Sequence, residues 1–116
     1  MTLNKLGNIC YEMEDYNSAM QYYQKGVIIE RCVYSPSHRH ITITMTNIAH
    51  IYKQLGEYSK ALAAYKHVYQ LHVANSGPNS LLAAESMSSI GLMEYYTRDY
   101  ASSFESYQEA DRKSVV

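Results

Sequence analysis

The sequence predicts an all-α fold: an α-solenoid of three antiparallel helix pairs. Three observations predict it. Tyr16, Tyr58 and Tyr100 stand 42 residues apart, and so do Tyr23, Tyr65 and Tyr107. The stretch from Gly56 to Tyr65 is echoed upstream from Asp15 to Tyr23 and downstream from Asp99 to Tyr107. Pro36 and Pro78 interrupt the chain one period apart. Self-similarity at a fixed period of this size signals stacked helical repeats. One domain follows, with copies over about 1–34, 35–76 and 77–116.

The first helix is expected over Thr2 to Met13, where Leu3, Leu6, Gly7, Ile9 and Cys10 form an apolar stripe. Glu14-Asp15 is the turn. The second helix runs to Val33 with Tyr16, Ala19, Met20, Tyr23, Val27 and Ile28 inward. Gly26 costs about 1 kcal/mol of helix propensity against alanine, which implies a packing reason. The third helix is expected from Pro36, capped by Ser35, to Leu55, with Ile41, Met45, Ile48, Ala49 and Tyr52 as its stripe. Ile41-Thr42-Ile43-Thr44 alone reads as a strand. The 42-residue register overrides that reading. Gly56 suits a left-handed helix stop.

The fourth helix covers Tyr58 to Asn75, with Ala61, Leu62, Tyr65, Val68, Tyr69 and Leu71 inward. The fifth covers Asn79 to Thr97, with Ala83, Met87, Ile90, Gly91 and Glu94 on the matching face. Glu94 stands where Cys10 and Tyr52 stand, so it is expected to reach the edge or pair with a base. The sixth covers Tyr100 to Lys113, where Asp111 and Lys113 replace apolar residues and the stripe fades.

Composition narrows the function. Apolar residues at 47% suit a folded core, and a net charge of −1 argues against the concentrated basic face that duplex binding usually needs. No apolar run approaches the ~20 residues that span a bilayer. Cys10 and Cys32 form no CxxC pair, and no signal peptide is visible, so reduced thiols and a cytoplasmic location are expected.

The motif residues resemble the tetratricopeptide repeat. The first copy reads Leu3, Leu6-Gly7, Asp15-Tyr16, Ala19, Tyr23. The second reads Met45, Ile48-Ala49, Tyr52, Gly56-Glu57-Tyr58, Ala61, Tyr65. The third reads Met87, Ile90-Gly91, Asp99-Tyr100, Ser103, Tyr107. The usual repeat is about 34 residues long. The longer period here, with Ser76-Gly77-Pro78-Asn79 and Ser35-Pro36-Ser37-His38 as linkers, resembles the kinesin-light-chain type. The resemblance implies a right-handed superhelix and a protein- or peptide-binding scaffold without cofactor.

Catalytic chemistry is not visible. His38, Arg39, His40 and His50 suggest a metal at first sight, but His38 and His40 are two apart and are not expected to face together on a helix. They are read as a solvated helix start. Cys10 and Cys32 are read as small buried residues rather than nucleophiles. There is no glycine-rich phosphate loop. The chain is therefore read as no enzyme.

Stacked pairs create an extended concave surface, and the resemblance implies that the first helix of each pair lines it. Residues flanking that helix's stripe are the groove candidates. In copy one they are Asn4, Lys5, Asn8, Tyr11 and Glu12. In copy two they are Ile43, Thr46, Asn47, His50, Lys53 and Gln54. In copy three they are Glu85, Ser88, Ser89, Leu92, Tyr95 and Tyr96. Amides both donate and accept, so they suit a peptide backbone. Some members of the resembled family clamp a chaperone's C-terminal carboxylate. Asn8 matches the first asparagine of that clamp, but Asn4, His50, Ser88 and Leu92 stand where its other residues are expected, so the clamp is not carried over.

The alternatives to a peptide-binding scaffold are a structural or self-associating segment, or a regulatory region of a larger enzyme. The short first helix and the fading sixth suggest a piece of a longer array. Apolar surface near Met87, Ile90, Phe104 and Tyr107 is then expected to invite self-association.

Overall fold

The computed structural model describes residues 2–35 and 38–114. They form six helices: α1 (Thr2–Glu12), α2 (Tyr16–Val33), α3 (Arg39–Gln54), α4 (Tyr58–Ser76), α5 (Leu81–Tyr96) and α6 (Tyr100–Ser114). Among the described residues there is no strand, and Ile41–Thr44 is helical. Consecutive helices pack on one another, giving an all-α solenoid measuring 38 × 29 × 19 Å.

The three turns within the pairs are one motif. Glu14, Gly56 and Arg98, one period apart, hold φ of 60°, 77° and 66°. The next residue's N–H reaches back to close the helix: Asp15 to Cys10, Glu57 to Tyr52 and Asp99 to Glu94, each at 2.9 Å. This pattern is a Schellman stop, which satisfies carbonyls that the helix leaves open. Glycine was expected to serve it at Gly56 and does. The other copies adopt it with side chains that strain the backbone. In copies one and three the next helix starts under a side-chain cap, with Asp15 accepting from Ser18 N–H and Asp99 from Ser102 N–H, whereas Glu57 makes no such bond in copy two.

The breaks between pairs differ from expectation. Helix α3 begins at Arg39, and its cap is His38, whose Nδ1 accepts the His40 N–H at 3.2 Å. Ser35 does not cap it. Pro36 and Ser37, expected to open this helix, lie outside the described residues. Helix α5 begins at Leu81, with Ser80 capping the Ala83 N–H at 3.1 Å.

The core follows the tyrosine register in the first two copies. Tyr23 and Tyr65 are each 2% exposed, and they sit beside Ala19 and Ala61. A small residue makes room for each ring: a Cβ on Gly7 would come within 2.7 Å of the Tyr23 ring. Gly26 also has its packing reason, since a Cβ there would meet Asn4 Oδ1 at 2.7 Å.

Several expectations of burial fail at the ends. Leu6, Ile9 and Ile28 of the expected stripes are exposed, while Tyr107, at 43%, is exposed as expected although its register mates are buried. The outer pairs have a neighbouring pair on one side only. Conversely, Ile90 is buried and Met87 half-buried, because α4 covers them. Phe104, at 65%, is exposed as expected.

Polar residues fill gaps that the stripes do not show. Glu94 reaches neither the edge nor a base. It is buried and accepts the Ser106 hydroxyl at 2.5 Å. Lys113 is buried too, donating to the Pro78 carbonyl and lying 5.5 Å from the Tyr69 ring centroid. Glu30, absent from every sequence expectation, is wholly buried. It accepts from Thr44 Oγ1 at 2.8 Å and from Asn4 Nδ2 at 3.3 Å, joining α1, α2 and α3. A buried carboxylate is tolerated only with such donors.

Candidate functional site

The α1, α3 and α5 helices share one face, and two small cavities open along it. The first, about 190 Å³, lies between α1 and α3 and is lined by Asn8, Tyr11, Glu12, Tyr23, Asn47 and His50. The second, about 120 Å³, lies between α3 and α5. Thr46, His50, Glu85, Ser86 and Ser89 line it from those helices, with Tyr65, Val68 and His72 behind them from α4 and Leu82 at its end. His50 lines both cavities and is the one residue they share.

A repeated hydrogen bond builds this wall. In copy one the Tyr23 hydroxyl donates to Asn8 Oδ1. In copy two, one period on, the Tyr65 hydroxyl meets His50 Nδ1 at 2.6 Å. The tyrosine ring packs in the core while its hydroxyl reaches the face. Burial pushes the Tyr65 hydroxyl up to about 12, so it stays protonated. Burial, with Lys53 nearby, lowers His50 from the ordinary histidine value. Both groups are therefore uncharged, and which of them donates follows the imidazole tautomer. In copy three the corresponding residue is Leu92, which offers no acceptor, and Tyr107 lies exposed.

The structure brings together Asn8, Tyr11, Glu12, Thr46, Asn47, His50, Glu85 and Ser89 among the groove candidates. Others go elsewhere. Asn4 turns inward to Glu30 and Thr44. Ile43 lines a roomier cavity of about 640 Å³ with His38, Arg39, His72 and Leu82, at the break between copies. Ser88 borders a shallow depression beside Tyr107. Lys53 and Leu92 are half-buried and Gln54 is exposed. Tyr95 and Tyr96 join Tyr58 and Tyr100 in an aromatic group: Tyr58 stacks on Tyr96 at 4.6 Å, and Tyr95 meets Tyr100 edge-on at 5.5 Å.

Sequence reasoning missed Tyr23, Tyr65, His72 and Ser86 as cavity-lining residues. The signal was available, because Asn8 and His50 hold the same register position as each other and so do the two tyrosines.

The histidine pair corrects another expectation. His38 and His40 do come together, with ring centroids 5.2 Å apart, and His38 stacks on Tyr34 at 4.0 Å. His38 is an extended cap residue rather than a helical one, so helical spacing does not separate them. Among the described residues no group of three His, Cys, Asp or Glu side chains is arranged to hold a metal. Cys10 is half-buried, and Cys32, expected to be buried, is exposed.

A tetratricopeptide repeat model matches residues 40–110, and a second matches residues 2–31. The chain belongs to the tetratricopeptide repeat family. No curated protein matches it. Among solved structures it is similar to BtubC (BKLC) from P. vanneervenii, with a TM-score of 0.85 at 18% identity over 93% of this chain. The chain spans 42% of that protein's length. It is also similar to the N-terminal domain of stress-induced protein-1 (STI-1) from C. elegans, with a TM-score of 0.79 at 17% identity. That match covers 97% of this chain and 81% of the other. At these identities the likeness is one of fold. Among the described residues no helix is long and apolar enough to cross a membrane.

Proposed function

We propose that this tetratricopeptide repeat chain is a non-catalytic, cytoplasmic scaffold that binds an extended segment of another protein along the α1–α3–α5 face. The observation that carries the reading is that His50 lines two cavities, one on either side of α3. A ligand strand laid there touches all three copies at once. Asn8 and Asn47 offer amides to its backbone, and the pockets admit small side chains. The 42-residue period and its linkers support placement among the kinesin-light-chain type. Lys53 and Gln54 extend the site past His50, and Tyr95 and Tyr96 extend it along α5.

The test is a peptide-array screen on the wild type, followed by a variant with Asn47→Ala, His50→Ala and Lys53→Ala together. Binding to the peptides returned is expected to fall at least about tenfold, as befits loss of a central cluster, with helicity retained. Unchanged binding would remove these residues from the site.

A further inference from the structure

Both internal junctions of the molecule use the same positions. At the first, Tyr16 and Met20 of α2 share an apolar cluster with Met45, Ile48 and Ile51 of α3. At the second, Tyr58 and Leu62 of α4 share one with Met87, Ile90 and Met93 of α5. The covered side is sealed: Ile51 and Met93 are both 0% exposed. One period before Ile48 and Ile51 stand Leu6 and Ile9 of α1, which are 38% and 57% exposed. One period after Tyr58 and Leu62 stand Tyr100 and Phe104 of α6, which are 57% and 65% exposed. The same molecule thus carries, at opposite ends, the two halves of an interface that it already makes twice internally.

We propose that the chain associates head to tail with a second copy of itself. Helix α6 of one molecule covers α1 of the next, and Phe104 and Tyr100 rest on Leu6 and Ile9 as Met20 and Tyr16 rest on Ile48 and Ile51. The pairing continues the α2–α3 and α4–α5 interfaces across the molecular boundary. Burial of apolar side chains now facing water drives it. The contact is heterologous, since each molecule keeps one free half after pairing, so further copies add in a row rather than closing as a two-fold dimer. Asn47 and His50 take no part, so the groove proposed for peptides stays open and the two readings fail independently.

The experiment is light scattering with size separation, from low micromolar to near-millimolar concentration, on the wild type and on Phe104→Glu and Ile9→Glu. Both positions are exposed, and circular dichroism checks that helicity is kept. The wild-type mass is expected to climb with concentration, and each variant alone is expected to stay monomeric. An equal mixture of the two variants is expected to give a dimer and nothing larger, because each retains the half that the other has lost. A wild type that stays monomeric at near-millimolar concentration overturns the proposal. So does association that Phe104→Glu abolishes and Ile9→Glu leaves intact, since that outcome means α6 pairs with α6. Variants that keep helicity but form no mixed dimer also overturn it.

Discussion

Tyr23, Tyr65 and Tyr107 hold one register position, and the partner available to each hydroxyl tracks how deeply the ring sits. Asn8 and His50 provide hydrogen-bond partners and Leu92 does not. Replacing Tyr65 by alanine removes a large ring that is 2% exposed and is expected to cost roughly 3–5 kcal/mol. Tyr95→Ala, at a residue 54% exposed, is expected to cost under about 1 kcal/mol. Urea midpoints at unchanged slope measure both, and equal shifts would contradict the assignment. The same bond carries a pH dependence. His50 and His72 are lowered from 6.5, both mainly by burial, so the unfolded chain binds protons that the folded chain resists. Stability is therefore fully present above about 6.5 and falls as pH drops below it through the lowered folded values. His50→Asn borrows the acceptor used in copy one and removes one of the two proton sites. Denaturation midpoints below pH about 6.5 are expected to depend less on pH in this variant; an unchanged slope would exclude His50 as a contributor.

At the scale of an element, the helix stops are equal in geometry and unequal in residue. Arg98 at φ 66° adopts a conformation that Gly56 adopts at φ 77° without a Cβ. Arg98→Gly is expected to raise stability by about 1 kcal/mol, and Gly56→Ala to lower it by a similar amount. Thermal melts of the two variants check the pair of signs, and a destabilised Arg98→Gly would mean that the arginine side chain contributes more than the strain costs. The buried carboxylate of Glu30 belongs to this scale too. It ties the end of α2 to α1 and α3 through Asn4 and Thr44. Thr44→Val removes a donor and leaves the carboxylate short of a partner, a change expected to cost about 1–3 kcal/mol. A midpoint that does not move would show that Glu30 finds another donor.

At the scale of the molecule, protection depends on how many neighbours a pair has. The α3–α4 pair packs against α2 on one side and α5 on the other. Helix α6 contacts α5 and presents Phe104 and Tyr107 to solvent. Hydrogen exchange at low micromolar concentration is expected to find α3 and α4 slowest and α6 fastest. Uniform protection to the end of α6 would contradict an array whose stability is the sum of nearest-neighbour junctions.

The sequence by itself determined the six helices, their pairing and the turns within the pairs, because a 42-residue register repeats the local signals three times. It also indicated the face on which the candidate site lies, since Asn8, Asn47 and His50 flank the apolar stripe. Only the tertiary structure decided which register mates are covered. Leu6 and Ile48 are equivalent in sequence, yet one is 38% exposed and the other 7%, because burial depends on whether another helix lies alongside. Stacking likewise brings Asn4 to Glu30 and Thr44, which stand 26 and 40 residues away along the chain. Local periodicity carries no information about partners at that separation. The tyrosine hydroxyls at the cavities escaped for a related reason: an aromatic residue on a stripe announces its ring, and only the packed pair shows where its polar end emerges.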